Sequence, residues 1–213
     1  MLNASVELTN FDKEFEKNII KEINKKIASV MQAVTQSIKE KLKIELIQAI
    51  GSSPTWVAVK SDILRGELGI ANVSSLDNIL EVWGDGIQVS YIPGVKTLGV
   101  IKIGMIASDY SDVLSLPEST IIAVGKRNGS VELLEWLRWL LLESTQVIIA
   151  DYDFYPKSGA GRTGLGIMVK SGGGWQVPPQ YAGSATDNFA TRSLQDIKDV
   201  IDRVVLNEIN RSF

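Results

Sequence analysis

The chain has 213 residues, and none is histidine or cysteine. The missing cysteine excludes disulfides, thiolate nucleophiles, iron–sulfur clusters and thiolate zinc sites. The missing histidine excludes a Ser-His-Asp triad, an imidazole general base and imidazole metal ligands. Catalysis would have to run on carboxylates, lysine, tyrosine or a Ser-Lys pair. Proline is scarce, at six, and none falls between Phe11 and Ala49. Long apolar runs are also lacking. The most apolar stretch, Val131 to Leu142, is interrupted by Glu132, Glu135 and Arg138, and a membrane span needs about 20 apolar residues. The first ten residues lack the apolar core of a signal peptide. A soluble protein, or part of a soluble assembly, is therefore expected, with no membrane partner. Excess positive charge is absent too: 22 Lys plus Arg face 25 Asp plus Glu, a formal charge of −3. That balance argues against tight non-specific nucleic-acid binding.

What is present is ordinary globular composition, 45% hydrophobic and 22% charged, in a length that suits one medium domain or one domain with an arm. Apolar residues recur at Phe11, Phe15, Ile19, Ile23, Ile27, Met31, Val34, Ile38, Leu42, Leu46 and Ile50. Steps of three and four predict one striped helix. Thr9 or Asn10 is placed to cap it and Gly51 and Pro54 to end it. Such a helix would reach about 60 Å, longer than a domain of this size with its radius of gyration of roughly 17 Å. It must either break, for which Ser37 is the candidate, or project. Its mean apolar step exceeds 3.6, so the stripe winds around the helix. Lysines 13, 17, 21, 25 and 26 alternate with Glu14, Glu16 and Glu22, as on a solvated face.

Residues 1–50 thus read as an arm and 51–213 as an α+β core. In the core, Asp62 can cap a turn stopping at Gly66, and Ser75–Trp83 reads as a short helix. Alternation then predicts strands around Ile87–Tyr91 and Leu98–Ile106, followed by Ile121–Val124. Val131–Glu143, capped by Ser130, reads as a helix apolar nearly all round, inserted in a small, mostly antiparallel sheet or sandwich. It would be buried either within the chain or against another subunit. Gln146–Tyr152 and Gly166–Val169 read as strands, Ser171–Gly174 as a hairpin tip and Trp175–Val177 as the return strand. A last helix is expected from Thr186 or Asp187 to Asn210.

Few candidates for chemistry emerge. Gly159, Gly161 and Gly164 match G-x-G-x-x-G, but a dinucleotide site must open a helix. Leu165–Lys170 is β-compatible, so a hairpin is the better reading. Gly172–Gly174 lacks the Lys-Ser/Thr of a phosphate loop. Asp109, Asp112, Asp151 and Asp153 are conceivable paired carboxylates for a glycan hydrolase, and Asp151 and Asp153 would share a strand face, yet no partner base lies nearby. The five tryptophans suit a core or a subunit contact. No catalytic residue, metal ligand or cofactor site is expected.

Four stretches carry a resemblance. They are Leu64–Ile70 (LRGELGI), Glu135–Glu143 (EWLRWLLLE), Gly161–Met168 (GRTGLGIM), and Trp175–Gly183 (WQVPPQYAG) followed by Thr186–Phe189 (TDNF). Together with the long first helix and a C-terminal helix after a Trp/Pro-rich turn, they resemble virion structural proteins of tailed bacteriophages, of the neck or tail-completion kind. The resemblance covers most of the chain after about residue 50, with residues 108–150 standing as an insertion. It implies a non-enzymatic head–tail connector in the virion, a homo-oligomeric ring of six or twelve copies. Its neighbours would be portal, adaptor or tail tube and terminator proteins, and DNA would pass through without sequence-specific binding. A tail terminator or baseplate protein is the nearest alternative. On that reading the expected interface residues are Phe15, Ile19, Ile23, Ile27 and Met31 on the arm, Trp136 and Trp139 on the apolar helix, Lys157 and Arg162 in the glycine-rich loop, and Trp175 and Tyr181 before the last helix.

Overall fold

The computed structural model describes residues 11–94, 99–124, 131–143 and 146–212. The capping residues Thr9 and Asn10, and the turn Gly125–Gly129 with Ser130, lie outside the described residues. The fold is α+β: a long first helix, small antiparallel sheets and C-terminal helices.

Helix α1 (Phe11–Gly51) runs for 41 residues without interruption. It does not break at Ser37, because no Pro or Gly intervenes and Ser37 instead donates its hydroxyl to Glu208. From Met31 onward the stripe is dry: Met31, Val34, Ile38, Leu42, Leu46 and Ile50 are all at most 3% exposed. Helix α2 (Pro54–Ser61) follows after Ser53, whose side chain caps it, with Pro54 at the first turn where its missing N–H is harmless. Asp62 caps α3 (Ile63–Leu68). This helix passes through Gly66 and stops at Gly69, whose φ of 76° gives the left-handed C-terminal cap. A 3₁₀ turn at Ser74–Leu76 leads into α4 (Asp77–Asp85), which packs on α1. Lys43 of α1 pairs there with both Glu81 and Asp85.

Among the described residues the strands form three separate two-stranded antiparallel pairs. Strand β1 (Gln88–Ile92) pairs with β2 (Val100–Gly104) and lies along α1. Val89, Tyr91, Ile101 and Ile103 turn inward, while their alternates stay exposed. A single turn α5 (Ser111–Leu114) and a 3₁₀ turn at Pro117–Ser119 precede β3 (Ile121–Val124). Strand β3 pairs with β4 (Val131–Leu134), Ile122 facing Leu133 in register.

Strand β4 corrects the inserted helix expected over Val131–Glu143. Backbone pairing with β3 claims the first four residues, and helical geometry starts only at Trp136, with α6 (Trp136–Arg138) and a π turn at Trp139–Glu143. The all-round apolar pattern was the sum of a ribbon with an exposed outer face and a short turn burying Trp136, Leu137, Leu140 and Leu141.

Strand β5 (Ile149–Pro156) pairs with β6 (Gly166–Trp175), and the G-x-G-x-x-G stretch is the loop between them. The expected tip at Ser171–Gly174 does not exist. Those residues stay in β6, and Ser171–Gly173 bulge opposite Asp151, between the pairs Ala150↔Gly174 and Tyr152↔Lys170. Asp151 itself has a φ of 65°. The bulge breaks the alternation that would have put Asp151 and Asp153 on one face. Both are exposed, and Asp153 accepts the Ser171 hydroxyl.

The last helix is two helices. Asn188 caps α7 (Phe189–Asp196), and Ile197, at φ −95° and ψ 9°, separates it from α8 (Lys198–Ser212). Both pack on α1. Glu208 of α8, with its side chain 8% exposed, accepts from Ser37 and Lys41 of α1. At the centre Trp56, Trp83, Trp136 and Phe189 meet with ring centroids 6.0–6.5 Å apart.

Candidate interaction surface

Three parts of the surface depart from what a satisfied monomer shows, and each follows from the elements that carry it.

The first is the N-terminal third of α1. Asn24, 6% exposed, donates its side-chain amide to the carbonyl of Gly94 at 2.8 Å, just past β1. The helix toward its N-terminus from Asn24 lies beyond this strap. There Phe15, Ile19 and Ile23 are 57%, 42% and 42% exposed. The stripe winds: Ile27 is half-buried and Met31 is buried, so the same periodicity serves the core at one end and solvent at the other.

The second is the β3–β4 ribbon. Ile121 packs inward, while the register partners Ile122 and Leu133 are each 62% exposed. A neighbouring groove of about 530 Å³ runs between this ribbon and the segment after α3, with Trp136 and Leu76 among its lining. Trp136 donates its indole N–H to the Glu118 carbonyl at 2.8 Å, which fixes the groove floor. Glu118 Oε2 has its surface buried and lacks a hydrogen-bond partner among the described residues. Arg162 enters from the β5–β6 loop and donates to the Ile122 carbonyl at 3.0 Å. Its guanidinium touches no carboxylate among the described residues, and partial desolvation lowers its pKa without neutralising it. Gly69 is required here: its positive φ suits glycine, and an added Cβ would sit 2.4 Å from Arg162 Nη2.

The third is the outer face of β5–β6. Phe154 faces inward onto Gly66, where an added Cβ would lie 2.8 Å from the ring. Tyr155 (61%), Ile167 (40%) and Val169 (42%) face outward.

The expected interface residues therefore separate. Phe15, Ile19, Ile23, Lys157 and Arg162 are exposed, and Ile27, Trp139 and Tyr181 are half-buried. Met31, Trp136 and Trp175 lie in this chain's own core at 3%, 0% and 6% exposure. Trp175 lies against Trp139 with ring centroids 6.0 Å apart and planes tilted by 58°, and the half-buried Glu67 carboxyl accepts a hydrogen bond from Trp175 while burial pushes the Glu67 pKa up. The sequence reading missed Ile122, Leu133 and Glu118. Their signal was the alternation Val131–Leu133 opposite Ile122–Val124, hidden by the helical reading of the same residues.

No family model matches the chain, and neither the curated proteins nor the solved structures contain a match to it.

Proposed function

We propose that this chain is a non-catalytic structural protein that acts by packing against further copies of itself, as a ring component of a tailed-bacteriophage neck. The observation that carries the reading is α1: an unbroken helix whose apolar stripe is buried in its own domain from Met31 on and exposed at Phe15, Ile19 and Ile23. Exposed apolar surface of this kind marks an interaction site. The resemblance of the four stretches to neck and tail-completion proteins supplies the biological setting. The absence of histidine and cysteine fits a role without nucleophilic or general-base chemistry. The slight negative charge fits a channel that DNA slides through, since few phosphate–lysine contacts would hold it.

Size-exclusion chromatography with light scattering tests the reading. Assemblies at six or twelve times the 23.3 kDa chain mass are expected. A strict monomer at every concentration, and after mixing with portal and tail proteins, refutes it. Labelling this chain in intact particles should place it between head and tail.

A further inference from the structure

The ring reading leaves open what the exposed arm touches. Building on that reading, we infer that the arm of one copy seats in the groove beside the β3–β4 ribbon of the next, Ile19 and Ile23 on Ile122 and Leu133.

Geometry excludes the arm's own groove. The groove lies at the C-terminal end of α1. Lys60 of α2 reaches Asp77 at 2.7 Å just after the groove segment, and Leu80 lies against Gly51. Ile23 and Gly51 are 28 residues apart on one continuous helix, which is about 40 Å. A rod cannot fold back over that distance, so an arm in this groove comes from a second copy. Arm and groove are different surfaces, and a contact between different surfaces is head-to-tail. It either closes into a ring or runs on as a filament.

Charge matches as well as shape. At about 100° per residue, Glu16 falls on one flank of Ile19 and Ile23, and Glu22 and Lys26 fall on the other. All three are exposed and make no ion pair among the described residues. The groove offers the complement: Arg162 without a carboxylate, and the half-buried Glu118 carboxylate, which meets no cation among the described residues and accepts only from the Asn78 amide, at 3.3 Å. Glu16 meets Arg162 and Lys26 meets Glu118. Each ionic group supplies what the other surface lacks, which sets the register along the helix.

One helix end on a two-stranded ribbon covers less than the roughly 1,000 Å² of a stable pairwise interface. The contact persists because each copy makes it twice, once as arm and once as groove, and closure of the ring makes the last contact intramolecular.

The cysteine-free chain allows a direct test in the full-length protein. Ile23→Cys and Leu133→Cys together should give a ladder of disulfide-linked multimers under mild oxidation. A mixture of the two single variants should stop at the dimer, and neither single variant should cross-link alone. Adding Glu16→Arg to the double variant should cut the cross-link yield several-fold. Light scattering on the unmodified chain runs in parallel. Multimers in scattering without the ladder, or Ile23→Cys linking to itself, overturn the arm-in-groove contact and leave the ring intact. A monomer in scattering at the highest soluble concentration, and still after mixing with portal and tail proteins, overturns both.

Discussion

Asn188 offers the sharpest test of how this fold is locked. Its side chain is fully buried and works in two directions. Oδ1 accepts from the N–H groups of Ala190 and Thr191 at 3.0 and 3.1 Å, and Thr191 Oγ1 answers by accepting from the Asn188 N–H at 2.9 Å. That is a capping box starting α7. The amide nitrogen meanwhile points away from the helix, to Tyr110 Oη at 2.7 Å, the Ser184 carbonyl at 2.8 Å and the Leu141 carbonyl at 3.2 Å. Tyr110 continues the chain to the Ala185 carbonyl. One side chain thus joins α7, the turn before it, the π turn and the segment before α5. Asn188→Ala removes a cap worth about 1 kcal/mol and leaves two buried acceptors, Tyr110 Oη and the Leu141 carbonyl, that cost roughly 1 kcal/mol each. The sum is about 3 kcal/mol, which for a chain of this length lowers Tm by roughly 10 °C. Asn188→Asp separates the two functions. It keeps the capping oxygen but turns a buried carboxylate toward the Ser184 and Leu141 carbonyls, so at neutral pH it should be at least as harmful as alanine. Thermal and urea unfolding followed by circular dichroism measure both. If the aspartate variant matches the parent chain at neutral pH, capping alone matters and the buried-network argument fails.

Further expectations rest on other sites. Glu67 has its pKa raised, chiefly by burial, so the stability it confers is full below its ordinary value of 4.5 and is lost as pH rises through the elevated value. Glu67→Gln should therefore raise Tm at pH 7.5 and leave it unchanged at pH 4; equal shifts at both would contradict the desolvation account. Glu208 has the opposite sign. Hydrogen bonds from Lys41 and Ser37 lower its pKa, so its contribution is present above pH 4.5 and disappears as pH falls through the depressed value. Glu208→Gln should flatten the acid limb of a stability–pH curve, and an unaltered limb would count against the α1–α8 clamp. Gly66→Val should detach β5–β6 from α3 through the clash with Phe154 and Leu165, seen as faster proteolysis of the Lys157–Thr163 loop. Ile19→Asp, at an exposed position, should leave Tm within about 1 °C while shifting assembly to higher concentration; a large fall in Tm would mean the arm is part of the monomer fold.

The elements legible in the sequence were those whose pattern had a single interpretation. The α1 stripe had one period for forty residues and no breaker, so the helix followed. Asp62 caps α3 as its side chain suggests, but Gly66, read as the stop, lies inside the helix, which ends at Gly69, and Pro54, read as ending α1, opens α2. Ile121–Val124 is a short apolar, β-branched run bounded by loops and forms β3. Misreadings came where one string satisfies two periods. Val131–Leu142 is apolar enough for a helix, and only its pairing partner ten residues upstream decides that its start is a strand. Ser171–Gly174 has the composition of a tip, and only the register with β5 shows that the extra residues form a bulge opposite Asp151. For the surface, exposure was the missing information: Met31 and Ile23 belong to the same stripe, and nothing local says that one is covered and the other open. Asn188 lay one residue beyond the expected helix start, and its importance comes from Tyr110, Leu141 and Ser184, which are distant in sequence or on another element.

The continuity of α1 also bears on kinetics. The first turn of a helix is the unfavourable step, and about ten residues alone in water would hardly be helical. In this chain the nucleus lies under α4, α7 and α8, and the segment from Glu14 to Asn24 only propagates from it. The exposed end is thus presented already shaped, and little backbone entropy remains to be lost when it meets a surface. Association through it should proceed at the rate of a rigid-body encounter, without the delay of folding on contact.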